Sequence, residues 1–271
     1  MEQTLNYKKK KQEQVKEILL MPISCNKSII GTPVKRENLI YSGQKYCNNL
    51  DEDMSDFAVG FYEIIYRNIL KNDENNHRSI LNKDNYLLNR NFAGDTMNSF
   101  NTISRSCTEN SFDWPNYLWK YFKEYHCLAN FWIVPMHIGR TSPRTPKEFR
   151  IISKSKIGIN DYMDKFLNNY KENESIYKEL CKDYVSEFKD FNDFATQHFL
   201  LESYYILERE EIIEYSDSSK YTHEEIINSM KRNIETRANA ISKSELELEF
   251  GYSKKVVWSA LWDYFHDLKL I

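Results

Sequence analysis

Apolar positions recur at helical spacing along most of the chain and crowd together at strand density in one short run. Behind Ser55, which can cap a helix, Phe57, Phe61, Ile64, Ile65 and Leu70 fall near helical spacing and predict a helix from Asp56 to about Leu70. Residues 8–20 have the pattern of a charged amphipathic helix. Residues 22–54 carry Gly31, Pro33 and Gly43, close on Asp51-Glu52-Asp53, and read as irregular. The asparagine-rich stretch 71–93 reads as a long polar loop, because asparagine readily bonds its own backbone. Pro115 stands at a first-turn position and opens a short helix through Tyr117, Leu118, Trp119, Tyr121 and Phe122. The run Phe131 to Val134, closed by Pro135, is too short for a typical helix and predicts a buried strand.

From Asn160 to Glu210 the pattern is almost continuously helical, in three segments near 161–170, 174–188 and 190–208. Phe188, Phe191, Phe194, Phe199, Tyr204 and Tyr205 supply core side chains. Further on, Thr222-x-x-Glu225 and Ser244-x-x-Glu247 both satisfy the capping-box pattern. Gly251 then stops one helix, and Ser253 starts another that carries Val256, Val257, Ala260, Leu261 and Phe265. Two short helices around a glycine-containing turn resemble a helix-turn-helix, although Trp258 and Trp262 at i, i+4 suit core packing better than base reading.

Composition narrows the fold. With 271 residues, 41% hydrophobic and 14% aromatic, the chain can bury a sizeable core. Only 7 Gly and 6 Pro leave few tight turns for a sandwich or barrel. The expected fold is mainly α: a helical domain with a small α+β insert around 92–150, holding the short buried strand after His126, and a C-terminal helical unit. The expected divisions are a basic N-terminal arm and irregular segment over 1–54, a helical core with the candidate site over 55–215, and the C-terminal unit over 216–271.

Charge is unevenly spread. The net charge is −3, yet residues 1–45 carry nine Lys or Arg against four Glu, so the run Lys8 to Lys11 suits either phosphates or a solvated helix face. No apolar stretch approaches the roughly 20 residues a membrane span needs, and Ile18 to Pro22 is too short for a signal region. The expected location is the cytoplasm, without a membrane partner. Five scattered cysteines without a CxxC pair suggest neither a zinc knuckle nor a disulfide framework.

Candidate chemistry gathers between Gly94 and Arg150. Gly94-Asp95-Thr96-Met97-Asn98-Ser99 places a carboxylate, hydroxyls and an amide in six residues, with Gly94 allowing an unusual backbone angle. It suits a ligand or metal site, and equally a turn into a helix with Asp95 or Ser99 as cap. In the second block, Tyr125 to Pro135, His126 and Asn130 stand four residues apart at the mouth of the apolar run. Asn130 needs partners for its amide there or caps a turn. Arg140, Arg144 and Arg150 follow, with guanidinium forks that match phosphate oxygens. Cys127 beside His126 reads as a buried structural cysteine, since adjacent residues on an extended chain point opposite ways. His198, within an aromatic helical face, reads as a satisfied core histidine. The signatures GxxxxGK[ST], GxGxxG, GxSxG and HExxH are absent.

The span 90–210, with its GDTMNS and YHxxxNFxxxP blocks and the aromatic run from Phe188, resembles an uncharacterised bacterial and phage-encoded family with a GDT(M/I)NS … YHxIGNFxLLP pair. That likeness brings no activity with it. The piece Trp114 to Pro135 also looks like the central part of the HNH-type nuclease domain of modification-dependent restriction enzymes, in which a tryptophan-bearing helix leads to an LGNLTLL strand. Leu128 to Val134 stands in that place here.

The resemblance implies a metal-dependent phosphodiesterase acting on nucleic acid. Asp95 would hold Mg²⁺ or Mn²⁺, His126 would be the base and Asn130 its orienter, while Thr96, Asn98, Ser99, Arg140 and Arg150 would contact substrate. One departure is decisive: Thr96 stands where those nucleases carry the base histidine, and a hydroxyl is no general base near neutral pH. His126 supplies the base from elsewhere, or the scaffold is a non-catalytic module that binds nucleic acid or another protein in phage defence or counter-defence. A nucleotide-using transferase is a third class with no motif behind it.

Overall fold

A computed structural model describes residues 2–23, 52–70, 92–98, 114–135 and 162–271. The fold is mainly α, with one small two-stranded sheet in the centre and short hairpins towards the C-terminus.

Helix α1 (Glu2–Leu20) buries Val15, Ile18 and Leu19. A 3-10 turn, Glu52–Met54, leads to Ser55, whose hydroxyl accepts from the Ala58 N–H and caps α2 (Asp56–Ile65) as its sequence position predicts. Helix α3 (Arg67–Leu70) continues it after Tyr66. Strand β1 (Phe92–Thr96) pairs antiparallel with β2 (Phe131–Pro135), in the register Asp95 to Trp132 and Thr96 to Phe131. Between them α4 (Asn116–Glu124) and a 3-10 turn (Leu128–Asn130) lead into β2. Phe131 to Val134 are fully buried, as the unbroken apolar run requires.

Helices α5 (Met163–Glu172), α6 (Glu174–Leu180), α7 (Lys182–Val185) and α8 (Phe191–Gln197) wrap an aromatic core around Trp132. Trp132 meets the Phe166 ring edge-on at 5.1 Å and the His198 ring at 5.7 Å, the tilted geometry aromatic pairs favour. Phe188, Phe191, Phe194, Phe199, Tyr204 and Tyr205 are all buried, as their spacing predicts. The third segment, however, ends at Gln197. Beyond it the chain turns, with Phe199 and Glu202 at positive φ, into the short strands β3 (Tyr205–Ile206) and β4 (Glu211–Ile212).

Two expectations change near the ends of the chain. Helix α9 (His223–Lys243) begins with the Thr222–Glu225 capping box, both of its bonds present. Ser244 is not a second box: it closes α9, and its hydroxyl accepts from the Leu246 N–H. The residues after it form a hairpin, β5 (Glu247–Phe250) and β6 (Ser253–Val256), so Ser253 opens a strand and α10 (Val257–Asp267) starts later. Gly251 turns that hairpin at φ 61°, a backbone conformation glycine adopts without steric cost. A hairpin therefore replaces the helix-turn-helix.

The N-terminal arm is also no arm over residues 2–20. Helix α1 lies on α9 and α10. Lys8 pairs with Glu245 and sits 5.6 Å from the Trp258 ring centroid, while Lys11 lies 4.6 Å from that of Trp262. The stems of Lys8 and Lys11 cover the two half-buried tryptophans, so these two charges are engaged within the molecule, while Lys9 and Lys10 are exposed. No helix among the described residues is long and apolar enough to cross a membrane.

Candidate functional site

The two polar blocks meet. Pairing of β1 with β2 continues past the strand ends, where the Met97 N–H donates to the Asn130 carbonyl at 2.7 Å. One step further, Asn98 and Asn130 face each other. The Asn130 Oδ1 accepts from the Asn98 backbone N–H at 3.2 Å and from its Nδ2 at 3.4 Å. In return the Asn130 Nδ2 donates to the Asn98 carbonyl at 3.2 Å, and also to the Tyr125 carbonyl at 2.8 Å. An amide has two protons to give and two lone pairs to fill. All four are committed here.

Three tyrosines seal the pair. The Asn98 Nδ2 donates to the Tyr204 hydroxyl at 2.6 Å, the Tyr215 hydroxyl donates to Asn98 Oδ1, and the Tyr121 hydroxyl donates to the Asn98 carbonyl at 3.3 Å. Burial pushes the Tyr121, Tyr204 and Tyr215 phenols far above their ordinary range, so each stays neutral, Tyr121 and Tyr215 as donors and Tyr204 as acceptor. Both asparagines are inaccessible to solvent. Asn98 therefore does not present its amide to a substrate. Asn130 does not orient His126, because its bonds run to Asn98 and Tyr125 instead of the imidazole.

His126 is oriented from elsewhere. It follows the end of α4, with its side chain 20% exposed, and its Nδ1 lies 3.5 Å from Oε2 of Glu52, which is only 7% exposed. The Tyr125 ring lies 3.9 Å away, centroid to centroid, and the Ile23 N–H donates to the His126 carbonyl at 2.7 Å. Glu52 opens the 3-10 turn that Ser55 fastens by donating its hydroxyl to the Glu52 carbonyl at 2.8 Å.

Gly94 lets that turn lie against β1. A Cβ on Gly94 would stand 1.9 Å from the Asp53 carbonyl oxygen and 2.7 Å from the Tyr62 hydroxyl, which itself donates to that carbonyl at 3.0 Å. The glycine is needed for close approach. It is not among the positive-φ residues, so the expected unusual backbone angle is absent. Asp95 is half-buried, and its Oδ1 accepts from the Thr96 N–H at 2.8 Å, while Thr96 is buried in the strand pair. After burial itself, the charges of Asp53 and then, beyond Tyr66, of Asp95 push the Tyr62 phenol up. Glu52 and Asp53 do the same to Tyr125. Glu52 and Asp53 thus lie near the Tyr125 ring, which rests against the one-fifth-exposed imidazole.

Among the described residues, no group of three or more His, Cys, Asp or Glu side chains gathers to hold a metal ion. The ligand set that a nuclease-type metal at Asp95 requires is not built by these residues. Ser99, Arg140, Arg144 and Arg150 lie outside the described residues. Cys127 is buried, and its thiol is pushed up to about 12 by that burial, which suits a structural cysteine and not a thiolate nucleophile.

Two residues were missed from sequence. Glu52 belonged to an acidic run read as the close of an irregular segment, and the signal was its place just ahead of the Ser55 cap. Arg237, in the polar-looking α9, gave none. It is fully buried and donates from Nη1 to the carbonyls of Ala129 (2.7 Å) and Phe131 (2.9 Å), from Nε to that of His198 (2.9 Å), and from Nη2 to the Tyr66 hydroxyl (2.9 Å). No carboxylate is among these four partners. The guanidinium instead fixes the two carbonyls on either side of Asn130. The His198 ring is buried, with Nδ1 on the Phe194 carbonyl at 2.9 Å and Nε2 on the Tyr184 hydroxyl at 2.8 Å, a satisfied core histidine as its aromatic setting predicts.

No model of a known protein family matches the chain, and neither does any curated protein or solved structure.

Proposed function

We propose that this chain is a hydrolase of nucleic-acid phosphodiester bonds, an outlying variant of the HNH-like scheme in which His126 acts as general base. The observation that carries the reading is the His126 imidazole, one-fifth exposed, held 3.5 Å from a nearly buried carboxylate, Glu52. A base needs a pKa near the working pH and a fixed direction, and a carboxylate partner serves both. In the proposed step the imidazole takes a proton from water, the water oxygen bonds to phosphorus and the P–O bond to the leaving oxygen breaks. The leaving oxygen takes a proton from the imidazolium, directly or through solvent, giving a phosphomonoester and an alcohol and restoring the neutral base. Asp95, on the strand against which the acidic turn lies, is the nearest remnant of the metal-binding acid that the resemblance implies. No step is assigned to a metal, because the described residues do not assemble its ligands.

A second reading is a non-catalytic module that binds nucleic acid or protein. The sealed Asn98–Asn130 pair favours it, since the residue that orients the histidine in the nuclease scheme serves here as a structural clamp.

Incubation of the purified protein with labelled single- and double-stranded DNA and RNA, in Mg²⁺, in Mn²⁺ and in chelator, separates the two. The first reading expects cleavage that His126→Ala lowers by about 10²-fold or more. Wild-type protein that cleaves none of these under any condition overturns it and leaves the binding reading, which gel-shift on the same panel then tests.

A further inference from the structure

We propose that Glu52 is the positioning residue that sets the tautomer and direction of the His126 ring. The inference deepens the reading of His126 as a base and rests on it for its catalytic meaning, whereas its geometric content stands on its own. In the nuclease scheme an asparagine orients the histidine. In this chain the corresponding Asn130 has every donor and acceptor committed to Asn98 and Tyr125. The vacant role falls to the carboxylate that reaches Nδ1.

The surroundings of Glu52 fix it for this task. Its carbonyl accepts from the Ser55 hydroxyl, so its backbone is tied to the start of α2. The next residue, Asp53, offers its carbonyl to Tyr62 and touches the bare backbone of Gly94. The turn is thereby clamped between a helix start and a strand. On its other side the His126 backbone is held by the Ile23 N–H, and its ring lies on Tyr125 and meets Phe131 edge-on. The ring and the backbone that carries the carboxylate are thus each anchored independently, which favours orientation of one by the other.

The chemistry follows from the pairing. A carboxylate at Nδ1 favours the tautomer with the proton on Nδ1, places the basic lone pair on Nε2 and stabilises the imidazolium formed when that lone pair takes a proton. The charged and titratable groups around the ring are Glu52 and Asp53 on the turn, Asp95 on β1, Tyr125 beside it and Tyr62 on α2. Glu52 lies at ion-pair distance from Nδ1.

Long-range ¹H–¹⁵N correlation of the His126 ring through a pH titration tests this without any activity. Wild-type protein is expected to show the Nδ1–H tautomer when neutral. Glu52→Gln is expected to lower the titration midpoint and raise the Nε2–H fraction, Glu52→Asp to give an intermediate response, and Asp95→Asn to leave the tautomer unchanged. A wild-type ring in the Nε2–H form, or a Glu52→Gln ring that titrates like wild type, overturns the proposal. Should the ring behave as expected while no nucleic acid is cleaved, the phosphodiesterase reading fails and the Glu52–His126 pairing stands.

Discussion

The Asn130 side chain holds the backbone of Asn98 across the ends of β1 and β2: Asn130 accepts from the Asn98 N–H and donates to the Asn98 carbonyl, both at 3.2 Å. This reciprocal pair replaces a rung of the strand ladder at the point where the ladder ends. It is why the two asparagines of the polar blocks converge and yet do not reach solvent.

Asn98→Ala and Asn130→Ala are each expected to destabilise the fold by about 2–4 kcal/mol, because Asn130→Ala strands the buried N–H and carbonyl of Asn98, and Asn98→Ala strands the Tyr204 and Tyr215 hydroxyls. In a double-mutant cycle by denaturant unfolding, the double variant should lose clearly less than the sum. Strict additivity would show that the two side chains do not act as a unit.

Replacing Arg237 by Met should cost about 3 kcal/mol or more, since the carbonyls of Ala129, Phe131 and His198 and the Tyr66 hydroxyl all lose a charge-assisted donor. Arg237→Lys should recover only part of this, because an ammonium cannot reproduce the planar fork. Chemical denaturation of both variants measures the difference. Equal stability of Arg237→Met and wild type would mean that the buried charge and its hydrogen bonds cancel.

Gly94→Ala is expected to destabilise by about 2–3 kcal/mol, towards the upper end of the overpacking range. The new methyl group meets backbone at Asp53, which cannot rotate away as a side-chain tip could. If the protein still folds, the shifted acidic turn should also loosen Glu52 from His126, visible as a changed ring tautomer. Thermal unfolding together with the histidine spectrum checks both effects.

Burial holds the His198 ring down to about 3, against an ordinary value of 6.5. Between those values the unfolded chain carries a proton that the folded chain refuses. The contribution is therefore intact above about pH 6.5, erodes as the pH falls and is exhausted near pH 3. By pH 4 roughly 3 kcal/mol of it has been lost. His198→Gln should flatten the stability profile between pH 6.5 and 4 by about one proton, measured by urea unfolding across that range.

Much of the secondary structure was legible because its causes are local. Ser55 caps α2, Thr222 and Glu225 form their box, Pro115 precedes α4 and the Phe131–Val134 run is a buried strand. Each depends on residues within a few positions, which spacing alone reveals. Local signals failed where two structures share one pattern. Ser244-x-x-Glu247 with Gly251 fits helix caps as well as a hairpin, and pairing of Glu247–Phe250 with Ser253–Val256 decided for the hairpin.

By itself, the sequence determined a mainly helical chain with an aromatic core, a short central strand and two polar blocks worth attention. Tertiary structure alone decided which partners those blocks meet. Asn130 finds its partner 32 positions away and Ala129 finds Arg237 108 positions away, while His126 meets a glutamate from a different segment. Hydrogen-bond capacity is finite, so once Asn130 is saturated by Asn98 and Tyr125 it has nothing left for a substrate or a histidine. Periodicity along a chain carries no trace of which distant group uses up that capacity.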